Sequence, residues 1–399
     1  MEISQETHLD PVLASLPEWR ESLKDLREMV LANTVMCGEI PSPTFEEENL
    51  VRFLCNRFTE AGLSSISTDE IGNAVAILPG SEGERSRNLL IVAHVDKIWE
   101  TTDDHTVTVG AETLTGRGIA DNALGAAVLI TLPAILEHLG ISLNSNLILL
   151  GATRSFGKGD LGGLRFFLEN SQHHFDAALC LEGMQLERLS YSCLGMRRGE
   201  ITIDLKSPAA RHPGSAGAIA PLNHLVDKIL AIERPERPLT EIRLGSVQAG
   251  SAYNVAPRSA SLRFEVRSES GEIVAGITEQ IEEIVDEISA GHEASADLQI
   301  IATREPGDIG FSHPLVKSTR TIMETLAIEP ALDPSMSELA ALLDRGIPAL
   351  TTGLTRGENR HTSRETIEIA PLFSGLAQLV GVLVLLDKTL SPSPTTPDE

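Results

Sequence analysis

The sequence predicts an α/β protein, a mixed sheet sandwiched by helices, with an α+β domain inserted into it. Three observations carry the prediction. Near-continuous apolar runs recur at 88–93 (NLLIVA), 146–152 (NLILLGA) and 176–181 (DAALCL), separated by helical stretches, as in strands buried on both faces. Near Gly195 the pattern changes to strict alternation. Near residue 309 the first pattern returns.

Element by element, 20–36 and 45–62 read as amphipathic helices. The second opens at Ser42-Pro43-Thr44, with Glu46, Glu47 and Glu48 in its first turn. Strands follow at 73–78 and 88–93, a long helix at 121–139, a strand at 146–152, a helix at 161–169 and a strand at 176–181. The alternating segments 200–206, 241–248 and 261–268 read as half-exposed antiparallel strands, with helices near 217–233 and 271–289. After them come helices near 313–326 and 337–344, the strand 348–353 and a terminal apolar helix. The predicted domains are therefore a discontinuous one, 1–195 with 309–399, and an inserted one, 196–308.

Composition narrows the partners. Lys+Arg number 32 and Asp+Glu 57, so the net charge is −25 at pH 7, which repels nucleic acid and anionic membranes. No secretory signal is visible at the N-terminus, and the apolar stretch 372–386 is shorter than a bilayer needs. Cys37, Cys55, Cys180 and Cys193 have irregular spacing and no CxxC, which suits reduced thiols in a cytoplasm.

The chemistry follows the strands. His94-Val95-Asp96 comes after 88–93, Asp121-Asn122 opens the long helix, Glu182-Gly183 follows 176–181, and His361 lies in the loop after 348–353. Ligands of open α/β sheets bind at the carboxyl ends of strands, so His94, Asp121, Glu182 and His361 should converge on one edge. Imidazole with carboxylate is the donor set of zinc or a similar divalent ion. Taken singly each has a plainer reading: Asp121 as a helix cap, Glu182 as a solvated loop carboxylate, His94 as a hydrogen-bonded structural residue and Asp96 as a turn residue.

Several segments together resemble one family. AHVDKIWE, LTGRGIADNALGAA, GIPALTTGLTRGENRHTSRE, IPSPTFEEENLVRFL and SAYNVAPRSASLRFEVRS are similar to motifs of the zinc metallopeptidases that include glutamate carboxypeptidase, aminoacylase, tripeptidase and acetylornithine deacetylase. The resemblance runs from about residue 25 to 388. It implies a co-catalytic zinc-exopeptidase fold with a dimerisation domain, and hence a homodimer acting on small peptides or N-acyl amino acids. It also implies two metal sites that share Asp121, one with His94 and Glu182, the other with His361 and a further glutamate. Asp96 would orient His94, and His212 would reach a neighbouring subunit's site to polarise the scissile carbonyl.

The chain departs from that pattern where it matters most. The matching branch reads E-E-G-x-G-D-L-x-G; this chain reads Ser155-Phe156-Gly157-Lys158-Gly159-Asp160-Leu161-Gly162-Gly163. Ser155 stands at the general-base position and is not expected to act as a base; Phe156 stands at the ligand position. Asp160 belongs to the branch's own pattern and reads as a helix N-cap. Ser337-Glu338 replaces Thr-Asp, Ala340 an asparagine, and Ala220-Pro221-Leu222 an N-A-I, which reads as drift of the substrate surface. A missing base costs about 10²–10⁴ in rate. The expectation is one divalent ion, or none, and a non-catalytic binding protein ahead of the alternative, a single-metal hydrolase of peptide or N-acyl amide bonds. A serine hydrolase through Ser155 is disfavoured, since RSFG is no G-x-S-x-G elbow.

Overall fold

The computed structural model describes residues 2–83, 86–206, 216–291 and 294–390. The chain divides into two compact units, Met1–Ser192 with Asp308–Glu399, and Cys193–Gly307.

The larger unit is built on a seven-stranded sheet. In spatial order its strands are Ser64–Thr68, Ala74–Leu78, Asn146–Ala152, Asn88–His94, Ala177–Glu182, Ala349–Gly353 and Leu189–Ser190. The central strands, Asn146–Ala152 to Ala349–Gly353, run parallel, and the flanking pairs are antiparallel. Segments on either side of the insertion thus share one sheet, because Ala349–Gly353 pairs in parallel with Ala177–Glu182. Burial explains the apolar runs: Leu89 to Ile91 and Leu147 to Leu150 are fully buried.

Two helices pass the length and composition test for crossing a membrane, Ile119–His138 and Leu372–Thr389, yet they are 89% and 83% buried in protein. An all-round apolar helix marks a core element here. Leu372–Leu390 packs against Glu2–Ser22 and Pro314–Thr325. The polar N-terminus, for which the sequence predicts no element, forms Glu2–Ser22 and buries Val12 and Leu16.

Three helix boundaries differ from expectation for local reasons. The first expected helix splits at a short 3-10 turn, Leu23–Leu26, before Arg27–Glu39. Asp160 is not the N-cap residue: it and Leu161 both take left-handed backbone, and Leu161, which makes no side-chain capping bond, immediately precedes the helix Gly162–Asn170. The long helix begins at Leu124, after Asp121 and Asn122 leave helical geometry.

The smaller unit is a four-stranded antiparallel sheet in the order Thr240–Ala249, Ser259–Ser268, Gly195–Leu205 and Ala294–Arg304. Ile201 pairs with Leu262 and Ile203 with Ala260, so alternate residues of neighbouring strands share one apolar face. Helices Ile219–Leu230 and Gly271–Gly291 cover it with Leu222, Leu225, Ile277 and Ile281. The sequence does not announce the fourth strand. His212 lies outside the described residues.

Candidate metal centre

The strand Asn88–His94 ends on His94 and the strand Ala177–Glu182 ends on Glu182. Between them stands Asp121, on non-helical backbone (φ −130°, ψ 81°). Ligand atoms of His94, Asp121 and Glu182 lie within 4.8 Å of one another, and all three residues are buried.

Asp121 is no helix cap. Asn122 serves the helix instead, accepting from the Gly125 N–H at 3.2 Å and donating to the Leu181 carbonyl at 2.8 Å. Asp121 is thereby free to use both its oxygens in the site. Oδ1 lies 2.9 Å from His94 Nε2; Oδ2 lies 2.6 Å from His361 Nε2 and 2.8 Å from Arg360 Nε. Burial works against its charge, but the bonds from His361 and His94 outweigh that and hold the carboxyl well below the usual carboxylate range. Burial likewise works to strip the proton from His94. The hydrogen bonds to Asp121 and Asp96 prevail and hold its ring well above its usual value.

Gly183 lets the Glu182 strand end approach this turn. A Cβ there would lie 2.4 Å from the Ala120 carbonyl oxygen, a distance no side chain tolerates.

Asp96 sits beside His94 in a way the motif alone does not convey. His94 Nδ1 is 3.2 Å from the Asp96 main-chain carbonyl and 3.5 Å from the side-chain Oδ1. The carbonyl is the better acceptor, and it leaves Nε2 facing Asp121. The other carboxylate oxygen, Oδ2, accepts from the N–H groups of Ser155 and Phe156 at 2.9 Å each and from Thr44 Oγ1 at 2.8 Å. Asp96 therefore organises the loop that carries Ser155 and Phe156. Glu47 helps, accepting from the Arg154 N–H at 2.8 Å. Lys97 anchors the other side: its buried ammonium donates to the carbonyls of Cys37, Gly38 and Ile40 at the end of helix Arg27–Glu39.

Ser155 and Phe156 do different things. The Phe156 ring stands edge-on to His94 at 4.9 Å between centroids and to His361 at 6.3 Å. Ser155 donates its hydroxyl to Glu338 Oε1 at 2.6 Å. Glu338 is only 3% exposed, and burial pushes its carboxyl above the usual range. The Ser337–Ala340 stretch is therefore more than drift of a substrate surface: its carboxylate stands against the general-base position.

Two further residues escape the sequence reading, although both lie inside a quoted motif. Arg360 pairs with Asp121 Oδ2 at 2.7 Å and approaches Glu182 Oε2 at 3.7 Å. Glu365 accepts from the N–H groups of Ala120 and Asp121 at 2.7 and 2.9 Å, and from that of His361 at 3.0 Å. It ties the Asp121 turn to His361, whose positive φ of 64° is unfavourable for a side-chain-bearing residue. Glu365→Gln sets an amide donor against one of those N–H groups. It should lower zinc affinity about 10- to 100-fold, the usual cost of losing a partner that orients a ligand. Competition with a chromophoric chelator measures this, and unchanged affinity would show that the clamp is dispensable.

Comparisons with known proteins follow the same lines. Residues 195–293 match the peptidase dimerisation domain of the M20 family. A dipeptidase from Saccharomyces cerevisiae is similar in structure over 95% of this chain and 99% of its own, with a TM-score of 0.75 at 12% identity. A dinuclear metal-binding M20 peptidase from Bacillus subtilis is similar over 92% and 100%, with a TM-score of 0.64 at 16% identity. This is the M20 peptidase fold, with its dimerisation domain. In sequence, 121 residues are 31% identical to a p-aminobenzoyl-glutamate hydrolase homolog from Haemophilus influenzae, a match spanning 30% of this chain and 27% of that protein.

Proposed function

We propose that this M20-type chain is a metal-dependent hydrolase of small peptide or N-acyl amide bonds that works with one divalent ion held by His94, Asp121 and Glu182. The observation that carries the reading is the buried three-donor cluster with a further buried carboxylate, Glu338, near enough to feel the charges of His94 and Glu182. The donor set fits zinc: one imidazole and two carboxylates is a ligand combination of catalytic zinc. Charge fits as well. Asp96, Asp121, Glu182, Glu338 and Glu365 set five buried carboxylates against two guanidinium groups, Arg188 and Arg360, at the same centre.

An ion bound there would supply Lewis-acid activation of the scissile carbonyl and of the attacking water. The protein's own groups do the rest. The Asp96 carbonyl keeps His94 in the orientation that turns Nε2 to the ligand cluster. Glu338 takes the proton of the attacking water, while its Oε1 stays bonded to Ser155. Burial raises its proton affinity, as suits a base near neutral pH. His212 as a carbonyl-polarising residue from a second protomer is part of this proposal, as is a homodimer formed through the Cys193–Gly307 unit, which holds the matched residues 195–293 and whose outer strands Thr240–Ala249 and Ala294–Arg304 are sheet edges.

A second reading has its own observation. Phe156 packs its ring against both His94 and His361, a contact suited to a fold kept for binding. Zinc content after purification without chelator, sedimentation at micromolar concentration and hydrolysis of a panel of dipeptides and N-acyl amino acids separate the two. One zinc per chain with turnover of any panel member is the expected result. Bound zinc with no turnover would leave the binding protein standing.

A further inference from the structure

The M20 relative from Bacillus subtilis is a dinuclear metal-binding peptidase. In this chain the two oxygens of Asp121 face two different neighbourhoods. Oδ1 belongs with His94, and Oδ2 carries both His361 and Arg360. We propose that the Arg360 guanidinium takes the place of a second metal ion on Asp121 Oδ2, so that the centre is built for one divalent cation and one fixed organic cation. The proposal rests on the reading of His94, Asp121 and Glu182 as a metal site.

Three features support it. Arg360 places both Nε and a terminal nitrogen within 2.8 Å of the same carboxylate oxygen, and it also approaches Glu182 at 3.7 Å. It therefore occupies the oxygen that Asp121 would give to a second ion and reaches from there towards Glu182, a donor of the first site. Phe156 removes the remaining competitor, since its ring lies beside His361 where a third donor would be needed, and a phenyl ring offers none. Finally, a guanidinium cannot lose its proton to make room. An ion at Oδ2 would meet a full positive charge at contact distance on the buried Asp121, although the guanidinium is itself a third exposed.

The consequence concerns the chemistry. The guanidinium neutralises Asp121 and fixes its orientation as an ion would, but it offers no open coordination position. Phe156 at the expected ligand position and Arg360 on Asp121 then act together to exclude a second ion. Restoring the glutamate alone should not restore the second ion.

Zinc per chain, measured by equilibrium dialysis of chelator-stripped protein and atomic emission, tests this without any substrate. Wild type and Phe156→Glu should each saturate at one zinc. Phe156→Glu with Arg360→Gln should reach two, and Phe156→Glu with Arg360→Lys, which keeps a cation, should stay at one. Two zincs in wild type, or in Phe156→Glu alone, would overturn the proposal. So would one zinc in the Gln pair when its melting transition stays cooperative; if that pair does not fold, Arg360→Met replaces it on the same criterion. No zinc in wild type would instead sink the underlying metal site, a result distinct from any of these.

Discussion

Asp121→Ala should abolish zinc binding and lower the stability of the metal-free protein by about 3–5 kcal/mol, the range for breaking a buried ion pair from one side. Asp121 is buried and meets three partners at once: His94, His361 and Arg360. Alanine leaves all three unmatched. His94 has almost no solvent access with which to compensate, and Arg360 keeps only the longer contact to Glu182. The carboxyl is held well below its ordinary range, mainly by His361 and His94 acting against burial. The sign follows from that: a depressed folded pKa means the stabilisation is present above the unfolded value and is lost as pH falls beneath about 4. The gap between wild type and Asp121→Ala should thus be full at neutral pH and narrow in acid. Denaturant melts of chelated protein across that range, with zinc analysis alongside, measure both effects. An unchanged midpoint at pH 7, or zinc retained at wild-type content, would contradict the assignment. Asp121→Asn serves as the comparison, since it keeps the shape but cannot neutralise Arg360.

How much of this is legible in the sequence varies with the kind of signal. The sheet is readable because burial on both faces makes strands such as 88–93 and 146–152 continuously apolar. The change to alternation is readable because the smaller sheet packs one face only: Ile201, Ile203 and Leu205 are buried while Thr202 and Asp204 are exposed. The strand Ala294–Arg304 is not. As an edge strand it buries few of its side chains, so its pattern is weak. Glu2–Ser22 is hidden because two prolines and a polar start mask an element held in place by a few contacts such as Val12 and Leu16.

Within the centre, motif spacing points to His94, Asp121, Glu182 and His361, because each follows a strand or opens a helix. The main-chain roles are illegible. That His94 bonds the Asp96 carbonyl, and that Glu365 collects three backbone N–H groups, are facts of loop geometry that no residue type announces. Arg360 gives no signal because a charged residue next to a histidine in a loop ordinarily points to solvent. Glu338 gives none because it lies 183 residues away in sequence from the serine it bonds, in a stretch whose motif position concerns the substrate surface.

Glu338→Gln should lower the turnover of whichever panel substrate wild type hydrolyses by about 10²–10⁴-fold, the usual contribution of a general base, while leaving zinc content at one per chain. The argument is one of position. Ser155 stands where the resemblance would put a general base, and a hydroxyl does not serve as a base at neutral pH. Its oxygen nevertheless lies 2.6 Å from a carboxylate that is buried, carries raised proton affinity and comes from a different loop. Glu338, at a position where the resemblance expects an aspartate, sets its longer carboxylate against residue 155, with the serine as its hydrogen-bond donor. Ser155→Ala should then cost less than Glu338→Gln, because it removes an orienting bond and keeps the base. Ser155→Glu on top of Glu338→Gln should recover part of the loss, since the carboxylate is moved back across a single hydrogen bond. Ser155→Glu alone should be poorly tolerated, because two carboxylates would then face each other at contact distance in a buried site. Steady-state rates on these five proteins, with zinc content and melting temperature recorded for each, decide the matter. A Glu338→Gln enzyme with wild-type turnover would show that the base lies elsewhere. A Ser155→Ala enzyme as impaired as Glu338→Gln would make the serine hydroxyl, and not the carboxylate behind it, the group that handles the proton.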